Sequence, residues 1–400
     1  MTSESPCSST SSSVDSTLDG SPAYWPMVTT AEQSWQQVSR SIDQLVSIDR
    51  SSDSNDSKTV ETHGTRAVSE VVPRPATDVD RRMAALRQHG DFTLAYNTAV
   101  QEGLEYFQTS DGYLAFRCFK GHVFVLGDPV ASSAGMPALL RDFIRQYPKP
   151  TFAQISSATA AELERLGYYI NEMGVDTVLD LSQYSFAGKS MERIRYAGNW
   201  LKKHGYTIEE ADYTAASQQE ARAVSEGWRA GMNCRKAEMR FLNRPICYHD
   251  ELDVRKFFLR DSAGKLVAFF YFDPLYGAGK ILGYATAIKR RLPEAPIYAE
   301  QGLMRAAVEK FQSEGLQRVH LGLSPMAGIE NKSFRCNPFL HYSFRYAFSA
   351  WWVNRFFYNL QGHAQYKRHF KGREVPYHYA SPVLFNDLRI YNLMRLTGVC

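Results

Sequence analysis

The stretch Arg318-Val319-His320-Leu321-Gly322-Leu323-Ser324-Pro325-Met326-Ala327-Gly328 reads as a buried strand running into a glycine-rich turn. Downstream, Phe356-Phe357-Tyr358-Asn359-Leu360-Gln361-Gly362-His363-Ala364-Gln365-Tyr366-Lys367-Arg368-His369-Phe370 is aromatic at one end and basic at the other. A glycine-rich turn lets backbone amides approach a ligand, and a cationic helix suits a phosphate-rich partner. The two stretches together read as a site, and the neighbouring elements indicate the fold that carries it.

Upstream, residues 299–315 form a helical pattern with Leu303, Ala306 and Val308 inward, and residues 281–288 a strand. Residues 254–259 and 266–272 flank Asp261-Ser262-Ala263-Gly264, a hairpin signature. The first half repeats the theme. A helix at 81–89 precedes strands at 106–107, 112–117 and 123–126, the last closed by Gly127-Asp128-Pro129. A helix at 137–147, a strand at 152–155, a helix at 160–166 and a strand at 177–181 follow. A basic helix at 188–204, a strand at 206–210 and a helix at 217–231 lead to the second half. Helices between strands give an α/β (α+β) layered class. The order recurs in both halves without an exact sequence repeat.

Residues 1–77 are rich in Ser, Thr and Asp and hold too little apolar surface to offset their ordering entropy. They read as a disordered tail with a short helix near 31–47. The expected division is therefore a tail at 1–77, a first domain at 78–220, and a linking helix with a second domain at 221–400.

The 400 residues are 44% hydrophobic and 22% charged, with a net charge of +4. That balance is globular, and too weakly basic to argue for nucleic acid from the total alone. Six scattered cysteines form no C-x-x-C pair, which disfavours a disulfide framework or zinc site. No apolar run reaches the roughly 18 residues of a membrane span, and the serine-rich start has no signal-peptide core. A soluble cytoplasmic protein, not necessarily far from a membrane, is the expectation.

Three chemistries are disfavoured. Gly322-Leu323-Ser324-Pro325-Met326 lacks the final glycine of a nucleophile elbow, and Pro325 lacks the amide. Cys247, His249, Asp250 and Glu251 lack a second ligand pair, so no metal is expected. Gly277-Ala278-Gly279-Lys280 is too short to cradle a triphosphate. In contrast, Arg345, Arg355, Lys367, Arg368, Lys371 and Arg373 meet no acid between His341 and Arg373, and Trp351, Trp352, Phe356, Phe357 and Tyr358 lie among them. Such interleaving suits nucleotides or a membrane interface. The plain alternative is core aromatics with a solvated cationic rim.

Several pieces, in order, carry a resemblance: Gly112-Tyr113-Leu114-Ala115-Phe116-Arg117, Val125-Leu126-Gly127-Asp128-Pro129, Phe186-Ala187-Gly188-Lys189 with Ile194-Arg195, Arg290 before Pro293-Glu294-Ala295-Pro296, Leu321 to Gly328, and Tyr358-Asn359-Leu360-Gln361-Gly362 with Tyr366-Lys367. The chain resembles the C-terminal domain of the phosphatidylglycerol lysyltransferases. The resemblance implies two tandem acetyltransferase-like (GNAT) folds. It also implies transfer of an amino acid from aminoacyl-tRNA to a lipid or small-molecule hydroxyl or amine, with no cofactor and no metal. By the same resemblance Arg290 and Lys367 are the catalytic candidates, for charge stabilisation near the ester or the terminal phosphate, with the general base unassigned. Arg195, Gly322, Ser324, Tyr358 and Asn359 lie in the matched pieces and are substrate-binding candidates, joined by the nearby cations Lys202, Lys203 and Arg368, with Arg195, Lys202 and Lys203 suited to guide the tRNA acceptor arm by backbone contacts; contact with an anionic membrane is expected. Ala287 stands where the family has an Asp, and His369 where it has a second Lys, departures that favour aminoacyl transfer over phosphatidylglycerol as acceptor. The alternatives are an acyltransferase using acyl-CoA or acyl carrier protein on the same fold, and a non-catalytic module docking on membrane or RNA.

Overall fold

The computed structural model describes residues 77–231, 238–384 and 387–398; the tail and the short helix expected at 31–47 lie outside the described residues. The first half runs α1 (Asp78–His89), α2 (Ala95–Val100), β1 (Glu105–Thr109), β2 (Gly112–Phe119), β3 (His122–Ala131), α3 (Met136–Gln146), β4 (Thr151–Ile155), α4 (Ser157–Arg165) and β5 (Tyr169–Asp180). After a 3-10 turn at Lys189–Met191 come α5 (Glu192–Lys203), β6 (Thr207–Glu210), α6 (Ala215–Ala230), β7 (Arg255–Arg260), β8 (Leu266–Gly277) and β9 (Lys280–Arg291). The chain closes with α7 (Ala299–Ser313), β10 (Arg318–Pro325), α8 (Pro338–Ser349), a π-helical turn (Val353–Phe357), α9 (Leu360–Arg368), β11 (Arg373–Ser381) and α10 (Asp387–Leu396).

Local chemistry sets the boundaries. Thr77 and Asp80 form a reciprocal capping box on α1, and Thr214 with Ser217 does the same on α6. The Asp261 carboxylate accepts from the Ala263 and Lys265 amides, both at 2.9 Å, fixing the β7–β8 hairpin. Gly277-Ala278-Gly279-Lys280 is the β8–β9 hairpin turn, with Ala278 and Gly279 at φ of +50° and +78°.

Two strands differ from expectation. Gly127-Asp128-Pro129 does not close β3: Tyr113 pairs with Val130 and Ala115 with Leu126, so the three residues bulge within a continuing strand. β5 begins at Tyr169, ahead of the expected 177; its first part is hidden in the sequence because the polar residues Asn171 and Asp176, buried here, interrupt the apolar pattern.

Among the described residues the strands form one sheet, ordered β1-β2-β3-β4-β11-β5-β10-β9-β8-β7-β6. Each half contributes antiparallel strands followed by a helical crossover to a parallel neighbour, the expected pair of acetyltransferase-like folds. The halves exchange closing strands. β5 pairs antiparallel with β10 of the second half, and β11 inserts between β4 and β5.

Both faces of the second half are covered, so β8 reads as a continuous apolar run. Phe257, Phe272 and Phe311 of α7 pack edge to face on one side, with centroids 5.2–5.7 Å apart. Phe258, Phe269 and Tyr271 line the other face with Tyr213.

Candidate active site

β9 and β10 pair in parallel at three positions only, Arg318 with Gly283, Val319 with Tyr284 and His320 with Ala285. Beyond them β9 stays with β8, while β10 shifts register through a bulge and follows β5. Gly322 makes this possible at φ +82°, a conformation that costs a side-chain-bearing residue about 1–2 kcal/mol. The strands part as a wedge, leaving the β10-facing backbone of residues 286–291 without a strand partner among the described residues.

Lys367 of α9 fills the wedge. Its Nζ donates to the Gly322 carbonyl at 2.7 Å and to the Leu323 carbonyl at 2.6 Å, and the residue is 5% exposed. Burial, with help from the Lys289 ammonium, pushes its pKa down to about 7, and Asp176 opposes the shift. A neutral lysine has two N–H donors and one lone pair. Two carbonyls therefore satisfy the neutral form and leave the lone pair to accept a proton.

Lys289 and Arg291 leave β9 toward α7, where both contact the Glu300 carboxylate at 3.3 and 3.2 Å. Burial disfavours ionised Glu300, but these two cations hold its pKa below the usual value. Lys289 also lies 4.2 Å from the Tyr366 ring centroid, and the Tyr366 hydroxyl donates to the Glu300 carbonyl. These contacts fix α9 against α7.

At the base of the wedge lies a buried cluster that the sequence did not single out. Asp176 of β5 is fully buried; its Oδ2 accepts from Thr93 Oγ1 at 2.5 Å and lies 2.8 Å from His320 Nδ1. Thr93 Oγ1 also lies 3.4 Å from the Tyr377 hydroxyl of β11. Burial alone would raise the Asp176 pKa, but His320, Thr93 and Lys367 outweigh it and keep the carboxylate ionised. The second Asp176 oxygen has no hydrogen-bond partner among the described residues. The comparable wedge between β3 and β4 is bridged instead by Asp128, which accepts from the Ser156 amide and hydroxyl at 2.9 and 3.0 Å.

The sequence candidates distribute unevenly. Gly322 and Lys367 meet in the wedge, and Ser324 follows on β10, 1% exposed, with its Oγ unpartnered among the described residues. Arg290 leaves β9 on the α6 face, opposite Lys289. Its guanidinium lies 3.8 Å from the Trp228 ring centroid and donates to Glu238 at 2.7 Å, while its buried Nε lacks a partner among the described residues. Burial pulls the Arg290 pKa down, partly offset by Glu238. Asn359 caps α9 by accepting from the Gly362 amide at 2.8 Å, and Tyr358 stacks on His363. Arg368 pairs with Glu374, just beyond the acid-free run, at 2.7 Å. Arg195 is used locally, donating to the Phe186 carbonyl at 2.7 Å and to Gly188, whereas Lys202 and Lys203 are exposed in the last turn of α5.

Other charged groups are consumed by structure. Glu251 and Asp273 grip the buried Arg244, with contacts of 2.8 and 2.6 Å, and Asp250 holds Lys256 at 2.7 Å. Burial pushes the Cys247 thiol up to about 12. A cavity of about 350 Å³ lined by Glu210, Asp253, Arg255 and Tyr284 lies at the β6–β7 edge, away from the wedge, where Arg255 is paired with Glu210 and Glu314.

A family profile described as phosphatidylglycerol lysyltransferase, C-terminal, matches residues 83–381. The phosphatidylglycerol lysyltransferase of Bacillus subtilis is 23% identical over 313 residues, covering 74% of this chain and 33% of that protein. That of Staphylococcus epidermidis is 23% identical over 278 residues, covering 67% and 31%. The chain thus spans about a third of these relatives' length. Among solved structures, L-PGS from Bacillus licheniformis superposes with a TM-score of 0.64 at 20% identity, over 80% of this chain and 97% of that one. The C-terminal domain assigned to a lysylphosphatidylglycerol synthetase of Agrobacterium fabrum gives 0.65 at 19% identity, with the same coverage. These likenesses show a common fold, and no described helix is long and apolar enough to cross a membrane. With three quarters of its length matched in one continuous span, the chain belongs to the phosphatidylglycerol lysyltransferase C-terminal family.

Proposed function

We propose that the protein is an aminoacyltransferase that moves an amino acid from aminoacyl-tRNA to a hydroxyl or amine of a lipid or small molecule. The observation that carries this reading is Lys367, a buried amine with a pKa near 7, seated on two carbonyls where β9 and β10 part. An aminoacyl ester is already activated. The protein has only to align the acceptor, carry one proton and stabilise the oxyanion.

In the proposed step the acceptor heteroatom attacks the ester carbonyl as its proton passes to neutral Lys367. The tetrahedral intermediate collapses with cleavage of the carbonyl carbon–ribose oxygen bond, and the Lys367 ammonium returns the proton to the ribose oxygen. Asp176, ionised beside His320, stabilises the ammonium form. Arg290 is the proposed charge-stabilising group on the opposite face, through its unpartnered Nε–H. Lys202 and Lys203 would contact the tRNA backbone, with Arg195 holding the loop before them. Gly322, Ser324, Tyr358, Asn359 and Arg368 are the proposed acceptor-side residues. We place the second half's start before β6, which pairs with β7, and propose a cytoplasmic protein peripheral on the membrane.

The test supplies labelled amino acids on a mixed tRNA pool to a lipid and metabolite extract, beside a parallel arm with acyl-CoA. A labelled product that requires intact tRNA supports the reading. A ribonuclease-indifferent product formed with thiol release overturns it.

A further inference from the structure

Helix α8 has an unusual surface. Of its twelve residues only Leu340 is buried, while Phe339, Tyr342 and Tyr346 stand exposed along one stripe, Tyr342 at 68%. The stripe continues past the helix into Trp351, 69% exposed, and Trp352. A helix that keeps aromatics on its solvent face forgoes their burial, a cost that soluble proteins rarely carry in one patch.

Charge identifies the partner. No Asp or Glu stands between Glu330 and Glu374, a run that holds eight Lys and Arg. Arg345 on α8 and Arg355 on the π-helical turn are exposed among the aromatics, and neither forms an ion pair with a described residue. Trp and Tyr at headgroup level with Arg among them is the composition of an interfacial membrane surface. Base stacking on RNA would need flat rings presented singly along a groove. Here the aromatics form one convex stripe on a helix.

The patch is tied to the candidate site. Asn354 donates to the Phe348 and Ala350 carbonyls, both at 2.9 Å, and its carbonyl oxygen accepts from the Gln361 amide at the start of α9. Gln361 Nε2 donates back to the Phe348 carbonyl at 3.0 Å. The segment with the exposed aromatics and the helix that carries Lys367 are thus joined by side-chain hydrogen bonds.

We propose that α8 and the following π-helical turn dock on an anionic phospholipid bilayer, with Tyr342, Tyr346 and Trp351 at headgroup level and Arg345 and Arg355 against lipid phosphates. This rests on the reading of a lipid-facing transferase, whose acceptor it would bring beside the wedge. Its test needs no turnover.

The full chain is sedimented with vesicles of phosphatidylcholine alone and of phosphatidylcholine with phosphatidylglycerol, at low and high salt. Binding that requires phosphatidylglycerol and weakens with salt is expected. Arg345→Ala and Arg355→Ala should each weaken it about fivefold, and Tyr342→Ser and Trp351→Ser about tenfold each. Quenching of tryptophan fluorescence by brominated lipid should fall in Trp351→Phe and be lost only when Trp352 is replaced as well. Lys367→Ala should bind vesicles like wild type, so loss of transfer in that variant separates failure of the chemistry from failure of docking. Equal sedimentation with both vesicle types overturns the proposal. So does self-association abolished by Trp351→Ser without vesicle binding, or tRNA binding that the same four variants weaken while vesicles are ignored.

Discussion

Replacing Lys367 by Arg keeps a cation on α9 but removes the capacity to release a proton near neutral pH. With a pKa of about 7, Lys367 is roughly half neutral at neutral pH, and an arginine there is never neutral. If the neutral amine takes the acceptor's proton, the variant loses the general-base contribution, about 10²–10⁴ in rate. Single-turnover transfer from charged tRNA, corrected for spontaneous ester hydrolysis, measures it. The wild-type rate should climb about tenfold per pH unit below about pH 7 and level off above it. Stability offers a second readout. The folded-state pKa lies below the unfolded value of about 10.4, so the unfolded chain binds more protons between the two and stability rises with pH across that window. Lys367→Met should abolish that slope in urea midpoints. A Lys367→Arg enzyme within about threefold of wild type, or a flat wild-type profile from about pH 6 to about pH 8, would refute proton transfer by Lys367.

Asp176→Asn should lower the Lys367 pKa and move the ascending limb to lower pH, a shift that a purely structural role would not produce. The same change should destabilise the fold by about 1–3 kcal/mol near neutrality, because Thr93 and His320 lose a charged hydrogen-bond acceptor. The loss should fade as pH falls through the depressed Asp176 pKa, where the wild-type carboxylate also protonates. Arg244→Ala strands Glu251 and Asp273 as buried charges and should cost about 3–5 kcal/mol in urea unfolding, while transfer per folded molecule stays unchanged. Arg290→Ala should lower the transfer rate about 10²–10³-fold if its guanidinium meets developing charge; a loss of stability with an unchanged rate would confine it to its contacts with Trp228 and Glu238.

The sequence alone determined the local elements, because their causes are local. The Asp261-Ser262-Ala263-Gly264 hairpin, the apolar run of β8 and the amphipathic α3 all follow from turn chemistry and side-chain period. It also flagged Gly322 and Lys367, through a glycine and a cation in matching pieces 45 residues apart. It could not reveal that β11 slides between β4 and β5, since strand order depends on pairings between distant segments. Asp176 and His320 are 144 residues apart; His320 lies in a stretch that reads as ordinary strand, and Asp176 falls just ahead of the strand expected at 177. Only the register of β5 against β10, with β10 bent away from β9, brings the carboxylate, the imidazole and the Lys367 amine to one wedge. The sequence supplied the groups; the depressed proton affinities of Asp176 and Lys367 come from burial and proximity, which exist only once the sheet has closed.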